Sequence, residues 1–205
     1  MAWKNEQVSE LETKKIVTLA REQFPCEGDY VELGCYKGDT SLLLAEVLRD
    51  LSIGACGKPV EKSVQKKLWI YDSFEGLPEK RIEDASVLGE DFKEGELLVT
   101  KREVKERFLR AGLPVPVIKK AWFEDLTEAD LPAKIALAFL DGDFYSSIKV
   151  SLALVENKMV VGGVIVVHDY GNAALPGVAK AVDEWKANKK NIKSESYQSM
   201  LIIHI

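Results

Sequence analysis

Apolar positions along this chain switch between two spacings, and the switches set out an order of elements. Val8, Leu11, Ile16, Leu19, Ala20 and Phe24 fall near helical spacing in a charged segment, which predicts an amphipathic helix from about 6 to 24, ended by Pro25. Tyr30 to Leu33 reads as a short strand running into Gly34, and Asp39-Thr40-Ser41 offers N-terminal capping chemistry to a leucine-rich helix, Leu42 to Leu51. A connection with Gly54, Gly57 and Pro59 leads to a second strand, Leu68 to Tyr71, which stops at Asp72. Residues 76–98 are acidic, glycine-punctuated and without a period, and read as an insertion or lid. Val104, Phe108 and Leu109 mark a helix closed by Gly112. Val115 to Ile118 suits a short strand that Pro116 confines to a position where a missing donor is harmless.

Ile135 to Leu140 is an unbroken apolar run bounded by Pro132 and Asp141-Gly142-Asp143, as expected of a strand buried on both faces of a parallel sheet. A helix from about Ser147 to Val155 follows, and Gly162-Gly163 launches a second buried strand, Val164 to Val167, ending at His168-Asp169-Tyr170. Val178, Val182 and Trp185 place a helix over Gly177 to Asn188. Lys193 to Tyr197 and Leu201 to Ile205 close the chain as a pair of strands turning near Gln198-Ser199. The seven strands, alternating with helices, predict an α/β fold: a doubly wound, mostly parallel sheet with one antiparallel strand near an edge.

Length and composition narrow the class. The 205 residues suit a single domain over 1–205, and the 46% hydrophobic and 30% charged residues exclude disorder of the whole chain. The balance of 28 basic against 33 acidic groups, 28 − 33 = −5, provides no positive field for nucleic acid or an anionic membrane, so neither is an expected partner. No run reaches the roughly 18 apolar residues of a bilayer span, and the start, MAWKNEQVSE, is too polar for a signal peptide. Cys26, Cys35 and Cys56 are odd in number and lack C-x-x-C spacing, which points to a reducing cytoplasm rather than a disulfide framework.

In an open α/β sheet ligands bind beyond the carboxyl ends of the strands, and four polar clusters sit there. Glu32-Leu33-Gly34-Cys35-Tyr36-Lys37-Gly38 is an E-x-G-x-x-x-G loop ahead of a helix; Gly34 permits a tight turn and Gly38 a close ligand, although a plain turn would use the same residues. It is neither a dinucleotide fingerprint nor a phosphate loop. Asp72 can accept both hydroxyls of a ribose, or cap a turn. Asp141-Gly142-Asp143 and His168-Asp169 end two strands that, if paired, bring their tips to ~5 Å. Three carboxylates would then repel one another, a cost that a hard divalent ion such as Mg²⁺ removes. The alternative is that Asp143 caps the following helix and Asp169 is solvated.

Taken in order, Val31-Glu32-Leu33-Gly34 with Gly38, Tyr71 to Pro78, Trp122-Phe123-Glu124-Asp125, Asp141 to Tyr145, Gly162-Gly163 through Gly171, Pro176-Gly177-Val178 and Ala181 to Glu184 resemble the macrocin (TylF-like) O-methyltransferases. The resemblance implies a Rossmann-like class I methyltransferase that moves a methyl group from S-adenosylmethionine (SAM) to a hydroxyl of a sugar or glycoside, assisted by Mg²⁺. It places Glu32, Gly34, Gly38 and Thr40 around the methionine half of SAM, and Asp72 and Ser73 at the ribose. Trp122 and Phe123 would border the adenine, with an ordinary core aromatic as the alternative for Trp122. Asp141 and Asp169 match the family's metal ligands and Asp143 its general base. His168 stands where the family commonly has a third ligand carboxylate; an imidazole can still bind a metal but is neutral and favours softer ions than Mg²⁺. The single modest helix at the start implies a small acceptor, or one covered by residues 76–98 or by the second subunit of a homodimer. Set against this enzyme are a non-catalytic SAM-binding regulatory or scaffold protein, a phosphohydrolase, for which His168 and His204 are too few, and a dehydrogenase, for which the fingerprint is missing.

Overall fold

The computed structural model describes residues 7–53, 65–88, 92–187, 189 and 192–205. The predicted connection through Gly54, Cys56, Gly57 and Pro59, the helix ends placed at residue 6 and Asn188, and residues 89–91 of the insertion lie outside them. The elements run α1 (Glu10–Gln23), β1 (Asp29–Leu33), α2 (Asp39–Ser52), β2 (Leu68–Asp72), α3 (Lys101–Arg110), β3 (Val117–Lys120), β4 (Ile135–Leu140), α4 (Tyr145–Glu156), β5 (Met159–Val167), α5 (Pro176–Ala187), β6 (Lys193–Tyr197) and β7 (Met200–His204). They form a seven-stranded sheet in the order β3-β2-β1-β4-β5-β7-β6. All the β1 to β5 pairs are parallel, and β7, next to the edge, runs antiparallel to both its neighbours. The predicted architecture is therefore present, with its one reversed strand where the closing pair placed it. No helix among the described residues is long and apolar enough to cross a membrane.

Helices cover both faces. Ile16 and Leu19 of α1, Leu42 and Leu44 of α2, and Val104 and Phe108 of α3 pack with Tyr30, Ile70, Leu137 and Phe139. On the other face Ile148 and Leu152 of α4 and Val178 and Val182 of α5 pack with Val31, Leu33, Leu140 and Val167. The central strand β4 is buried at every position, which is why its sequence shows no polar alternation. Truncating Leu137 to alanine there costs about 2–5 kcal/mol, as the transfer and cavity costs of a filled core dictate.

Four boundaries differ from the sequence reading for local reasons. Strand β3 lies two residues later, at Val117–Lys120, so Pro116 falls outside its pairing with Trp69–Asp72. Gly162 and Gly163 lie inside β5 rather than ahead of it: Met159 already pairs with Ile135, and an irregularity before Leu137 absorbs the glycines. Helix α2 is capped by Gly38 in the left-handed region, with no side-chain cap; Ser41 turns instead to Glu32, and Asp39 to Arg107 of α3. Helix α4 begins at Tyr145, two residues before the predicted Ser147.

Among its described residues the insertion is irregular apart from one 3-10 turn, Ile82–Asp84. Leu77 N–H to Glu96 O, 2.8 Å, and Gly95 N–H to Leu77 O, 2.9 Å, pinch its two ends together. Ser86 Oγ donates to Ala173 O at 3.0 Å and ties its middle to the loop after β5.

Candidate active site

The carboxyl ends of β1, β2, β4 and β5 finish level: Leu33 pairs with Tyr71 and Leu140, and Leu140 with Val167. Each continues into a polar turn, and these four turns wall one crevice. Gly34, with φ +89°, is where β1 meets the end of β4; a Cβ there would lie 1.9 Å from the Asp141 carbonyl oxygen, so the close approach requires glycine. Glu32, one side chain back, is buried and accepts a hydrogen bond from Ser41 Oγ. Burial pushes its carboxyl up to about 8; the Ser41 bond opposes this, while Asp141, Asp72 and Asp39 add to it.

Asp72 both caps a turn and faces the crevice. Its Oδ2 accepts from the amides of Cys35 (2.9 Å) and Tyr36 (3.3 Å), and its Oδ1 from Phe74 N–H (2.7 Å). These use three of the roughly four acceptor positions of a carboxylate and lock the loop after β1 to the end of β2.

At the tips of β4 and β5 the geometry is different. His168 Nδ1 lies 3.0 Å from Asp141 Oδ1 and 2.9 Å from Asp169 Oδ2, and one atom from each of the three residues falls within 4.8 Å of the others. Burial lowers the His168 pKa, but the two carboxylates outweigh it and hold it up at about 11. Asn172 Nδ2 donates to the other Asp169 oxygen at 2.9 Å. Asp169 is thus bonded on both sides and buried, so the solvated alternative does not hold. Nor does Asp143 cap α4, whose N-cap is Phe144 without a side-chain bond; the first amide, Tyr145 N–H, donates to Asp84. Burial, then the charges of Asp141 and Asp169, push the Asp143 carboxyl well above the usual range, with His168 pulling it down. Asp143 and Asp169, like Tyr36 and Phe74, hold positive φ (59°, 58°, 43° and 51°), a conformation that costs such residues about 1 kcal/mol or more each and clusters at binding sites.

The crevice, open to solvent on one side, brings together Gly34, Asp72, Ser73, Trp122, Phe123, Asp141, Asp143, His168 and Asp169. Glu32, Gly38 and Thr40 are not among its lining residues; Glu32 and Thr40 are buried. Trp122 is half-buried at the wall, while Phe123 is buried, and a Cβ on Gly142 would lie 3.2 Å from its ring. The sequence reading missed Gln7, Tyr36, Leu77, Leu97, Glu124 and Ser147 on the wall, and Asn172 behind Asp169. Tyr36, Leu77 and Glu124 stood inside the motifs named above and were legible as neighbours; Leu97 reaches the same wall because Leu77 is bonded to Gly95 and Glu96.

Comparison with known proteins agrees with this arrangement. The family model for macrocin-O-methyltransferase (TylF) matches residues 6–198. The chain is 28% identical over 164 residues to the 8-demethyl-8-(2,3-dimethoxy-alpha-L-rhamnosyl)-tetracenomycin-C 4'-O-methyltransferase of Streptomyces olivaceus, covering 78% of this chain and 58% of that one. It is 28% identical over 173 residues to the demethyldecarbamoylnovobiocin O-methyltransferase of Streptomyces niveus, with the same coverage, 78% and 58%. It therefore spans somewhat more than half the length of these relatives. The structure of the O-methyltransferase NovP superposes with a TM-score of 0.78 at 22% identity, covering 98% of this chain and 82% of that one, which confirms the fold.

Proposed function

Because the chain belongs to the macrocin O-methyltransferase family, we propose that it is a SAM-dependent O-methyltransferase acting on a hydroxyl of a sugar or glycoside-type small molecule. The observation that carries the reading is the meeting of Asp141, Asp143, His168 and Asp169 in the same crevice as the Gly34 loop and Asp72. In this reading residues 1–205 work as one methyltransferase domain, with Gly76, Leu77, Pro78 and Leu97 at the two ends of the insertion forming one wall beside the acceptor.

The Gly34 turn leaves the backbone open to the methionine half of SAM, backed by Glu32, Gly38 and Thr40. Asp72 has about one acceptor position left for a ribose hydroxyl, and Ser73 stands beside it. Trp122 and Phe123, both on the crevice wall, border the adenine. Methyl transfer is an in-line displacement: the acceptor oxygen forms a bond to carbon as the bond from carbon to the sulfonium sulfur breaks, leaving neutral S-adenosylhomocysteine (SAH). The hydroxyl proton goes to Asp143, whose half-buried carboxylate, desolvated and crowded by Asp141 and Asp169, holds a proton more readily than a free aspartate does. Fixing oxygen and methyl in line supplies the orientational part of the rate.

Asp141, His168 and Asp169 fit a divalent cation. Their adjacent donor atoms, 3.0 and 2.9 Å apart, have the spacing of neighbouring ligands around an ion with ~2.1 Å bonds. Such an ion, when bound, supplies Lewis acidity that lowers the pKa of the acceptor hydroxyl. With two carboxylates and one imidazole the set accepts Mn²⁺ more readily than an all-oxygen set would.

The test is incubation of the purified chain with SAM and a panel of glycosides and catechols, reading SAH release, beside calorimetric titration with SAH. Binding of SAH with turnover of a glycoside is the expected result. Binding without turnover of any acceptor would favour the non-catalytic reading, and no binding would remove both.

A further inference from the structure

The Pro176-Gly177-Val178 motif has no part in the chemistry above, and neither does the buried acid of the insertion, Asp84, which is 1% exposed. They meet each other. Asp84 Oδ1 accepts the Tyr145 N–H at 2.7 Å, and Oδ2 accepts Arg81 N–H at 3.1 Å. A Cβ on Gly177 would lie 1.9 Å from Asp84 Oδ1 and 2.9 Å from the Tyr145 nitrogen. One carboxylate therefore sits where the first turns of α4 and α5 touch, and that contact exists because residue 177 is glycine. Both helices present their positive N-terminal ends to it, the geometry in which a carboxylate is most stabilised by helix dipoles. Pro176, opening α5, has no amide to leave unpaired there.

These two helix starts directly follow the two acidic turns. Tyr145 comes two residues after Asp143 and four after Asp141, with Phe144 N–H bonded to Gly142 O at 2.6 Å. On the other side a relay of turn bonds runs from Asp169 O to Asn172 N–H (3.0 Å), Asn172 O to Leu175 N–H (3.0 Å) and Leu175 O to Val178 N–H (3.1 Å). Asn172 also holds the Asp169 carboxylate. The insertion is bound to the same region by Ser86 to Ala173 O at 3.0 Å and by Lys180 with Glu83 at 3.5 Å.

We propose that Asp84 is a positioning residue: its carboxylate braces the starts of α4 and α5 and so sets the spacing between the Asp141–Asp143 turn and the Asp169 turn. Residues 81–86 of the insertion are then a fixed strut of the site. The inference rests on the methyltransferase reading only for its effect on rate; the brace itself is a property of the fold.

The experiment uses full-length Asp84→Ala, Asp84→Asn and Gly177→Ala, each compared with wild type at a temperature where it is folded. Asp84→Ala removes the brace, and Gly177→Ala pushes the helix starts apart with Asp84 intact. Both should lower kcat by about tenfold or more, as misplacement of reacting groups does, while SAH affinity stays within about threefold. Asp84→Asn keeps an acceptor for Tyr145 N–H and should restore most of the rate. Amide exchange should accelerate about tenfold or more at Tyr145, Phe144 and Asn172 in the first and third variants, and stay unchanged at Cys35. A kcat within threefold of wild type in soluble Gly177→Ala or Asp84→Ala would overturn the proposal, as would unchanged exchange at Phe144 and Asn172. If Asp84→Ala does not fold, Gly177→Ala and Asp84→Asn decide. A wild-type chain that methylates no acceptor would sink the methyltransferase reading instead, and the exchange data would still judge the brace.

Discussion

The turn after β1 and the turns after β4 and β5 border the same crevice, yet they handle negative charge in opposite ways. Around β1 and β2 the acids are met by hydrogen-bond donors of the protein itself: Asp72 by three backbone amides, Glu32 by the Ser41 hydroxyl. At β4 and β5, Asp141 and Asp169 share one imidazole nitrogen, and Asp143 has its carboxyl displaced upward by desolvation and then by the charges of Asp141 and Asp169. The first region is a finished scaffold that a ligand can lie on, and the second is a charge concentration completed only by a proton, a cation or a reacting hydroxyl. Binding and chemistry should therefore separate under mutation.

The largest expected effect lies in the second region. Asp143→Asn keeps shape and removes the base, and should lower kcat by about 10²–10⁴-fold while SAH affinity stays within a few-fold. Isothermal titration with SAH beside SAH-release kinetics reads both; a matching loss of affinity would make Asp143 part of the scaffold. The converse test is Gly34→Ala, whose Cβ would meet the Asp141 carbonyl at 1.9 Å in a left-handed turn. It should cost about 2–4 kcal/mol of stability and abolish detectable SAH binding, in the manner of overpacking and backbone strain. Tight SAH binding by this variant would mean that the two regions are not pressed together as described.

Next in size is the cation. His168→Asp replaces a neutral donor by a charged one and should tighten Mg²⁺ binding about tenfold, because ligand charge tunes the affinity of hard ions, and should narrow any preference for Mn²⁺. Water-proton relaxation by Mn²⁺, with Mg²⁺ as competitor, measures both. Unchanged affinities would place His168 outside the ligand set, leaving it as the proton-bearing link between Asp141 and Asp169.

The comparison also explains what was legible from residues alone. Strand β4 could be read because a run buried on both faces has only apolar residues, and its acidic end stands out against them. The start of β5 could not, since Gly162-Gly163 carries the signature of a loop, and only pairing with Ile135 shows that the strand passes through it. The pocket residues on strand ends were found by their position after apolar runs. Asp84 was invisible in that way: its partners Tyr145 and Gly177 lie 61 and 93 residues further on, and its own neighbourhood has no period. The left-handed turns at Asp143 and Asp169 were equally hidden, because the sequence signals such turns with glycine and here aspartates take them. The capping reading of Asp39-Thr40-Ser41 failed because a nearer demand, the buried Glu32, captured the Ser41 hydroxyl.

The smallest expected effect tests whether the β1 region is as neutral as its hydrogen bonding implies. Burial, with smaller contributions from Asp141 after β4, Asp72 of β2 and Asp39 of α2, outweighs the Ser41 hydrogen bond and pushes the Glu32 carboxyl up to about 8. In the unfolded chain a glutamate titrates near 4.3. Between those values the folded state holds a proton that the unfolded state has released, so stability falls as pH rises through this window and levels off above pH 8. Glu32→Gln removes the ionisation while retaining a partner for Ser41. Its melting temperature should match wild type near pH 4.5 and exceed it by several degrees at pH 8, in the direction that linkage to the Glu32 proton dictates. Differential scanning calorimetry across that range measures the gap. A gap that stays constant with pH would mean that Glu32 is already ionised in the folded chain, and the contrast between a satisfied scaffold and an unbalanced acidic tip would lose its first half.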